Sequence, residues 1–312
     1  MQPIVIQTEN LPQVCSDWLA ERCDLHICPV GSLRFKELLP QAQGLVIRTY
    51  TNVDREMLSN APNIRVVGRA GAGVDNIDLQ ACKERGITVV HTPEANSESV
   101  VGFVLTTMLS GLRNLHKVTG PLSQDKWDAL RDASLTTKEF TETTLGIIGF
   151  GRIGSRLGKM AKSMGFSVLF NDVVTIQETH GCTSVPIEQL LFESDVISIH
   201  IDGREENKQF CDANMFRQMK PDTMFINASR GFIVDALALT EYLKNNQAAK
   251  AILDVHDPEP ISSEYPLLHV DNATLFPHIA SKTKSASVNM GWVVKDIVSV
   301  LSGESPQYEV TA

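Results

Sequence analysis

The sequence lacks several features that would place it in whole classes of protein. No apolar run reaches the roughly 18 residues that a membrane-spanning helix needs. The opening MQPIVIQTEN has no basic segment followed by an apolar core, so it does not resemble a secretory signal. Basic residues are in deficit, with 28 Lys and Arg against 37 Asp and Glu and a net charge of −9. A nucleic-acid or anionic-membrane surface needs the opposite balance. We therefore predict a cytoplasmic protein with neither partner.

Cysteine pairs are also absent. The six cysteines include no C-x-x-C pair, so we predict reduced, packed thiols at Cys15, Cys23, Cys28, Cys82, Cys182 and Cys211. Cys23, His26 and Cys28 cluster in sequence, but they fall in a predicted strand whose alternate residues face opposite ways. We therefore predict no metal site.

What is present is ordinary globular composition, 43% hydrophobic and 21% charged. A chain of 312 residues exceeds the usual single core, so two domains are expected. Short apolar runs alternate with amphipathic stretches, which predicts parallel sheets covered by helices in an α/β fold. We place residues 1–97 and 281–312 in one discontinuous domain and 98–280 in a second domain inserted into it.

Two further segments carry structural expectations. Residues 98–115 are apolar nearly all round, which predicts a helix buried on more than one side. Residues 117–140 are polar and irregular, with Trp127 as the expected anchor. The tail, 281–301, is predicted to be one helix that packs on the first domain.

The stretch from Leu145 to Asp172 carries the strongest motif. A short apolar run leads into LGIIGFGRIG, whose last three glycines, Gly149, Gly151 and Gly154, follow the G-x-G-x-x-G spacing. These glycines permit a tight turn, close approach of a pyrophosphate and close packing of the following helix. A second strand ends at Asp172, near the distance expected for a carboxylate that binds the adenosine ribose. Methyltransferases and plain turns share the glycines, but the complete strand, helix, strand and acid context predicts dinucleotide binding. The negative charge of Asp172 would repel a 2′-phosphate, so we predict NAD rather than NADP.

Two loops of the first domain follow predicted strands, where open α/β sheets bind ligands. One begins at Arg48, and the other is GRAGAGVDNID, residues 68–78. The glycines of the second loop leave backbone N–H groups free for a carboxylate or phosphate. Gly71 and Gly73 also suit a simple turn, and Arg48 and Arg69 also suit a surface role.

Three ionisable residues follow strands of the second domain. Arg230 lies in NASRGFIVD, Glu259 in LDVHDPEP and His278 in FPHIAS. Arginine binds a carboxylate through a planar fork and polarises a carbonyl, and histidine can donate and remove a proton. A carboxylate beside the imidazole favours its protonated form and fixes its orientation. Each residue alone also suits a structural role, as an ion-pair partner or a capped turn.

Taken together, these five motifs closely resemble the D-isomer-specific 2-hydroxyacid dehydrogenases over nearly the whole chain, and most resemble the phosphoglycerate dehydrogenase branch. The resemblance implies an NAD-binding Rossmann domain inserted into a flavodoxin-like substrate domain, and a homodimer. It implies that Arg230, Glu259 and His278 are catalytic. It also implies a substrate site of Arg48, Arg69, Ala72, Gly73 and Arg230, and a cofactor site of Gly149, Gly151, Arg152, Ile153, Gly154, Asp172, His200, Ala228 and Asp254.

Some points depart from the family or stay open. The segment from His200 to Arg204 replaces the usual His-x-Pro-Leu-Thr loop, and His256 replaces a common Phe, for which we favour a packing or solvent-facing role. The length implies a short phosphoglycerate dehydrogenase, of the serine biosynthesis type, without C-terminal regulatory domains. The alternatives are a hydroxypyruvate or glyoxylate reductase, another dehydrogenase of unphosphorylated acids, and an NAD(H)-sensing binding protein.

Overall fold

The computed structural model describes residues 2–113, 115–136 and 138–310. The chain forms two compact units, one comprising the chain up to Asn96 and from Ser281 onward, the other Ser97–Ala280. The first boundary lies one residue before the predicted one. In the described residues, no helix is both long enough and apolar enough to span a bilayer.

Within the described residues, the first unit has a five-stranded sheet. Its strands are β1 (Ile4–Gln7), β2 (Asp24–Ile27), β3 (Gly44–Ile47), β4 (Val66–Arg69) and β5 (Thr88–His91). All neighbours pair in parallel, in the order β2-β1-β3-β4-β5, which is the flavodoxin-like order. Its helices are α1 (Gln13–Ala20), α2 (Leu33–Leu38), α3 (Arg55–Ser59), α4 (Leu79–Glu84), α11 (Lys284–Gly291) and α12 (Val293–Ser302).

The tail of the chain completes this unit. The tail is two helices rather than the predicted one, because Trp292 has a ψ of 0° and interrupts the helical backbone between α11 and α12. The Ile297 side chain of α12 lies where a side chain at Gly68 in β4 would be, with only 2.4 Å to an ideal Cβ there. The glycine therefore lets α12 pack directly on the sheet. Beyond α12, Glu309 forms an antiparallel bridge with Val90 at the β5 edge.

The second unit has seven parallel strands among its described residues. They are β6 (Thr144–Ile148), β7 (Ser167–Asn171), β8 (Thr183–Ser184), β9 (Val196–Ile199), β10 (Met224–Asn227), β11 (Lys250–Leu253) and β12 (Ala273–Leu275). Their order, β12-β11-β10-β9-β6-β7-β8, is the Rossmann order with one added strand. The helices are α5 (Ser97–Leu112), α6 (Gln124–Ala133), α7 (Arg152–Ser163), α8 (Ile187–Glu193), α9 (Ala213–Gln218) and α10 (Ala236–Asn245).

Two expectations for this unit were wrong. Residues 124–133 form helix α6 rather than irregular chain, and Trp127 is 49% exposed, so it does not anchor the segment. Helix α5 forms where it was expected and buries Val100, Val104 and Met108 among others, while Gly102, Thr106 and Ser110 lie on an exposed stripe. The cysteines are as expected, since all six lie in the described part of the chain, buried and unpaired.

Candidate active site

The glycine turn joins β6 to α7, and its three glycines meet different surroundings. Gly149 has a φ of +87°, and a Cβ there would lie 2.6 Å from the carbonyl oxygen of His200. A Cβ on Gly154 would lie 2.0 Å from the carbonyl oxygen of Gly149. A Cβ on Gly151 would meet nothing within 4 Å. The first and third glycines therefore permit the protein's own packing, while the second borders open space at the α7 N-terminus, where a phosphate can approach backbone N–H groups.

Asp172 lies directly after β7 and is half-buried. One carboxylate oxygen accepts a hydrogen bond from the Phe150 N–H of the glycine turn at 2.6 Å, and the other accepts from the Val174 N–H at 3.0 Å. Each carboxylate oxygen can accept more than one hydrogen bond. The side chain is therefore held beside the turn and retains capacity for a ribose hydroxyl.

His200 follows β9, and its N–H donates to the Ile148 carbonyl at 2.7 Å. Its Nε2 lies 2.8 Å from the Ser198 hydroxyl, and among the described residues its buried Nδ1 has no hydrogen-bond partner. Burial lowers the pKa of His200 to about 4, so the ring is neutral near pH 7. The segment after His200 contains its own ion pair, since the Nε of Arg204 donates to the Asp202 carboxylate at 2.7 Å.

Arg230 lies in a loop that Asn227 organises. The buried Asn227 side chain donates to the Arg230 carbonyl at 2.8 Å and accepts from the Ser229 N–H at 3.0 Å. The next residue, Gly231, packs against the loop that follows β11, since a Cβ on Gly231 would lie 2.0 Å from the carbonyl of His256. Sequence analysis did not single out Asn227 or Gly231, although the N-x-x-R-G spacing is visible in the sequence.

His278 and Glu259 form the hydrogen-bonded pair at this edge. The His278 Nδ1 lies 2.8 Å from a Glu259 carboxylate oxygen, and the side chains are 36% and 27% exposed. The other Glu259 oxygen accepts from the His256 N–H at 2.9 Å. Burial acts to raise the pKa of Glu259, but these hydrogen bonds outweigh it and lower the pKa below its ordinary value. The Glu259 carboxylate therefore stays ionised. Because Nδ1 of His278 makes the contact with Glu259, the other ring nitrogen, Nε2, faces away from it.

Asp254 shapes the turn that carries His278. Its backbone carbonyl accepts from the His278 N–H at 2.9 Å. Its carboxylate, on a residue that is 1% exposed, accepts from the N–H groups of Ile279 and Ala280 at 2.7 and 2.8 Å. Burial raises the pKa of Asp254, against the effect of these two donors. The carboxylate thus has a structural role, and its contact with a nicotinamide stays a prediction.

His256 is a packing residue. It is 8% exposed, its Nε2 lies 2.8 Å from the Phe276 carbonyl oxygen, and its Nδ1 lies 3.3 Å from the Tyr265 hydroxyl. Both ring nitrogens are therefore engaged within the second unit. This leaves His278 as the histidine paired with a carboxylate at the site.

The two predicted substrate loops lie side by side in the first unit. The Asn76 amide in the second loop donates to the carbonyls of Arg48 and Thr51 at 2.9 and 2.6 Å. The Arg69 guanidinium lies against Gly71, so closely that a Cβ on that glycine would overlap it. The His91 Nδ1 lies 2.8 Å from the Ala72 carbonyl oxygen. The structure therefore brings Arg48, Arg69, Ala72 and their loops to one edge of this sheet.

A family model described as D-isomer specific 2-hydroxyacid dehydrogenase, NAD binding domain, matches residues 105–280, more than half of the chain. The chain belongs to this family. The match lies within the second unit, which is therefore the NAD-binding domain that defines this family. The open space beside Gly151 and the acid at Asp172 fit that cofactor.

The relatives that this chain resembles carry names that differ in substrate. A D-3-phosphoglycerate dehydrogenase of Archaeoglobus fulgidus is 36% identical over 269 residues, 85% of this chain and 50% of the relative. The chain thus spans about half the length of that relative. A glyoxylate reductase of Korarchaeum cryptofilum is 31% identical over 317 residues, 98% of this chain and 95% of the relative. The crystal structure of a D-lactate dehydrogenase from Aquifex aeolicus, complexed with NAD and lactic acid, is 26% identical with a TM-score of 0.82 and 96% coverage of each chain.

Proposed function

We propose that this protein is an NAD-dependent D-2-hydroxyacid dehydrogenase that interconverts a D-2-hydroxy acid and its 2-oxo acid. The observation that carries the proposal is the His278–Glu259 pair, with its 2.8 Å contact at the carboxyl edge of the NAD-binding sheet. A histidine oriented by an ionised carboxylate is suited to move a proton to and from a substrate oxygen.

When bound, NAD(H) would supply or accept the hydride at C2 of the acid. In the reductive direction, His278 holds a proton on Nε2 and delivers it to the carbonyl oxygen, while Glu259 orients the ring and stabilises its positive charge. The Arg230 guanidinium binds the substrate carboxylate and polarises the adjacent carbonyl. The N–H groups of Ala72 and Gly73 are the donors that the first unit offers to a substrate carboxylate in this proposal.

The remaining predicted cofactor residues surround the dinucleotide in this proposal. The N-terminal residues of α7, Arg152 and Ile153, offer N–H groups to the pyrophosphate. Asp172 binds the adenosine ribose, and a second negative charge there disfavours a 2′-phosphate. His200, Ala228 and Asp254 line the nicotinamide end of the site.

We propose 3-phosphoglycerate and 3-phosphohydroxypyruvate as the substrate pair, in the phosphorylated route to serine. Two arginines at one edge of the first unit, Arg48 and Arg69, support a substrate with a second anionic group, because each offers planar donors to phosphate. The similarity to a glyoxylate reductase over nearly the full chain supports an unphosphorylated acid such as glyoxylate or hydroxypyruvate as the second candidate.

We further propose a homodimer formed through the NAD-binding domain. None of the residues of α6 is buried; Leu115, which precedes it in the chain, and Leu135, which follows it, are 73% and 79% exposed. Exposed apolar side chains concentrated in one segment are typical of an interface. The unpaired, buried cysteines support a reducing cytoplasmic location.

The test is NADH oxidation, followed by absorbance, with 3-phosphohydroxypyruvate, hydroxypyruvate, glyoxylate and 2-oxoglutarate in parallel. His278→Asn removes the imidazole but suits the φ of +55° at this position, because asparagine tolerates the left-handed region. We expect it to lower kcat by roughly 10²- to 10⁴-fold. His180→Asn is the matched control, since His180 has a φ of +52° and its Nδ1 lies 3.3 Å from the Glu178 carboxylate, which is not among the predicted site residues.

Two outcomes would contradict the proposal. Unchanged turnover in His278→Asn would remove the acid/base assignment. Tight NADH binding by the wild-type protein with no turnover of any 2-oxo acid would favour the NAD(H)-sensing protein instead.

A further inference from the structure

A glutamate occupies the backbone N–H groups of the first predicted substrate loop. One carboxylate oxygen of Glu9 accepts from the N–H groups of Arg48, Tyr50 and Thr51 at 3.0, 3.2 and 3.1 Å. The other accepts from Thr49 and Tyr50 at 3.2 and 3.3 Å. Four successive N–H groups thus converge on one side chain. Such a concave run of N–H groups is an anion-binding nest, and here its anion is the protein's own carboxylate.

The glutamate and its loop are held from both sides. The Gln7 amide, on a residue that is 1% exposed, donates to the Glu9 carbonyl at 3.0 Å and accepts from the Ser16 hydroxyl at 2.9 Å. On the loop itself, the Thr51 hydroxyl lies 2.7 Å from the Thr8 hydroxyl. Together with the Asn76 amide on the loop carbonyls, these contacts fix the N–H and carbonyl groups of the loop at once. The loop is therefore built to hold one conformation.

This arrangement decides which groups of the loop can meet a ligand. The N–H groups are taken by Glu9, so an anionic substrate cannot use them. The Arg48 guanidinium donates to the neutral Asn10 carbonyl at 3.1 Å, and no carboxylate among the described residues forms an ion pair with it. The Tyr50 side chain is 82% exposed. The loop therefore offers a positively charged side chain, rather than backbone donors, to an incoming anion.

We propose that Glu9 is a positioning residue that determines specificity for 2-oxo acids with a second anionic group. By pinning the loop, it holds the Arg48 guanidinium where it can bind that group while leaving it without a competing carboxylate. This inference rests on the proposed dehydrogenase function. A carboxylate that accepts several charge-assisted hydrogen bonds from the backbone is a strong constraint on a loop, so its loss should change where Arg48 lies.

The experiment compares Glu9→Ala and Glu9→Gln with the wild-type protein on 3-phosphohydroxypyruvate and on glyoxylate, which has no second anionic group. In Glu9→Ala we expect KM for the phosphorylated acid to rise by about 10-fold or more, the loss of a charge-assisted hydrogen bond or two, with kcat changed little. KM for glyoxylate should stay nearly constant. Glu9→Gln should be intermediate, because its single amide oxygen can still accept from part of the loop. Glu37→Gln, on the exposed surface of α2, controls for the change in charge.

Two further measurements separate positioning from general damage. Hydrogen exchange of the amides in residues 48–51 should become faster in Glu9→Ala, because their acceptor is gone. The NADH Kd should change little, since the cofactor turn belongs to the other unit. A variant that fails to fold is replaced by Glu9→Gln, which retains the size of the side chain.

Several results would overturn the inference. An equal rise in KM for both acids would show a general structural role. A lower KM for the phosphorylated acid would show that Glu9 competes with the substrate for the loop N–H groups. A wild-type enzyme that reduces glyoxylate with no preference for a second anionic group would remove this inference but keep the dehydrogenase, whereas no turnover of any 2-oxo acid would remove both.

Discussion

Single glycine-to-alanine substitutions in the cofactor turn should separate an effect on folding from an effect on cofactor binding. A methyl on Gly151 meets no protein atom within 4 Å, whereas a methyl on Gly154 would lie 2.0 Å from the Gly149 carbonyl oxygen. The first variant, Gly151→Ala, therefore places its methyl where a pyrophosphate must approach. The second, Gly154→Ala, forces α7 away from the turn even when no cofactor is bound.

The expected magnitudes differ accordingly. An ordinary carbon–oxygen contact is well over 3 Å, so Gly154→Ala requires a backbone shift of about 1 Å, and overpacking of this kind costs typically 1–3 kcal/mol. For a domain of this size, that corresponds to a fall in Tm of roughly 3–10 °C. In Gly151→Ala we expect a Tm close to wild type but an NADH Kd raised by at least about 10-fold, or about 1.4 kcal/mol.

The assay is a thermal melt and an NADH fluorescence titration of both variants. Gly102→Ala is the control, because its methyl also meets nothing within 4 Å and lies on the exposed stripe of α5. Wild-type NADH affinity in Gly151→Ala would refute the placement of the pyrophosphate. A large fall in Tm for that variant would refute the claim that the space beside Gly151 is free of protein atoms.

Three further predictions concern single positions. Asp172→Ala should weaken NAD binding and narrow the preference for NAD over NADP, and titrations that show neither change would reject its ribose role. Gly231→Ala should lower both Tm and kcat/KM, because its Cβ would lie 2.0 Å from the His256 carbonyl; wild-type values for both would contradict this. His200 has a pKa lowered to about 4 from about 6.5 in the unfolded chain, so between about pH 4 and about pH 6.5 unfolding is accompanied by proton uptake. The contribution of His200 to the free energy of unfolding should be complete above about pH 6.5 and should decline by about 3 kcal/mol as the pH falls to about 4. Denaturant unfolding across this range should show a smaller pH dependence in His200→Asn, and an equal dependence would contradict it.

The parts of the site that could be predicted from the sequence are those whose residues lie close together in the chain, at a recognisable spacing. The turn from Gly149 to Gly154 and the carboxylate at Asp172 belong to one strand–helix–strand unit, so local spacing fixes their neighbourhood. The pairing of Glu259 with His278 was inferable because both follow adjacent parallel strands. Gly231 could have been inferred from its place after Arg230, but its contact with the backbone of another loop is not encoded in spacing.

The rest depended on tertiary contacts. Glu9 follows β1 and Arg48 follows β3, and nothing in either segment shows that a carboxylate bridges the two. Helix α6 was missed because it buries no side chain, so it lacks the apolar periodicity from which helices are predicted. The break at Trp292 was missed for the opposite reason, since the apolar pattern of the tail continues across it.

The position of His278 explains why its turn needs so many contacts. The histidine follows β12, an edge strand of three residues, none of which is buried. An edge strand alone constrains the following residue weakly, yet His278 adopts a φ of +55°. Asp254, after the more central β11, holds the backbone of the turn through three hydrogen bonds, and Glu259 holds the ring. A proton-transfer group must keep its geometry as charge develops, so the buried Asp254 carboxylate gives this exposed edge the rigidity that its own strand cannot.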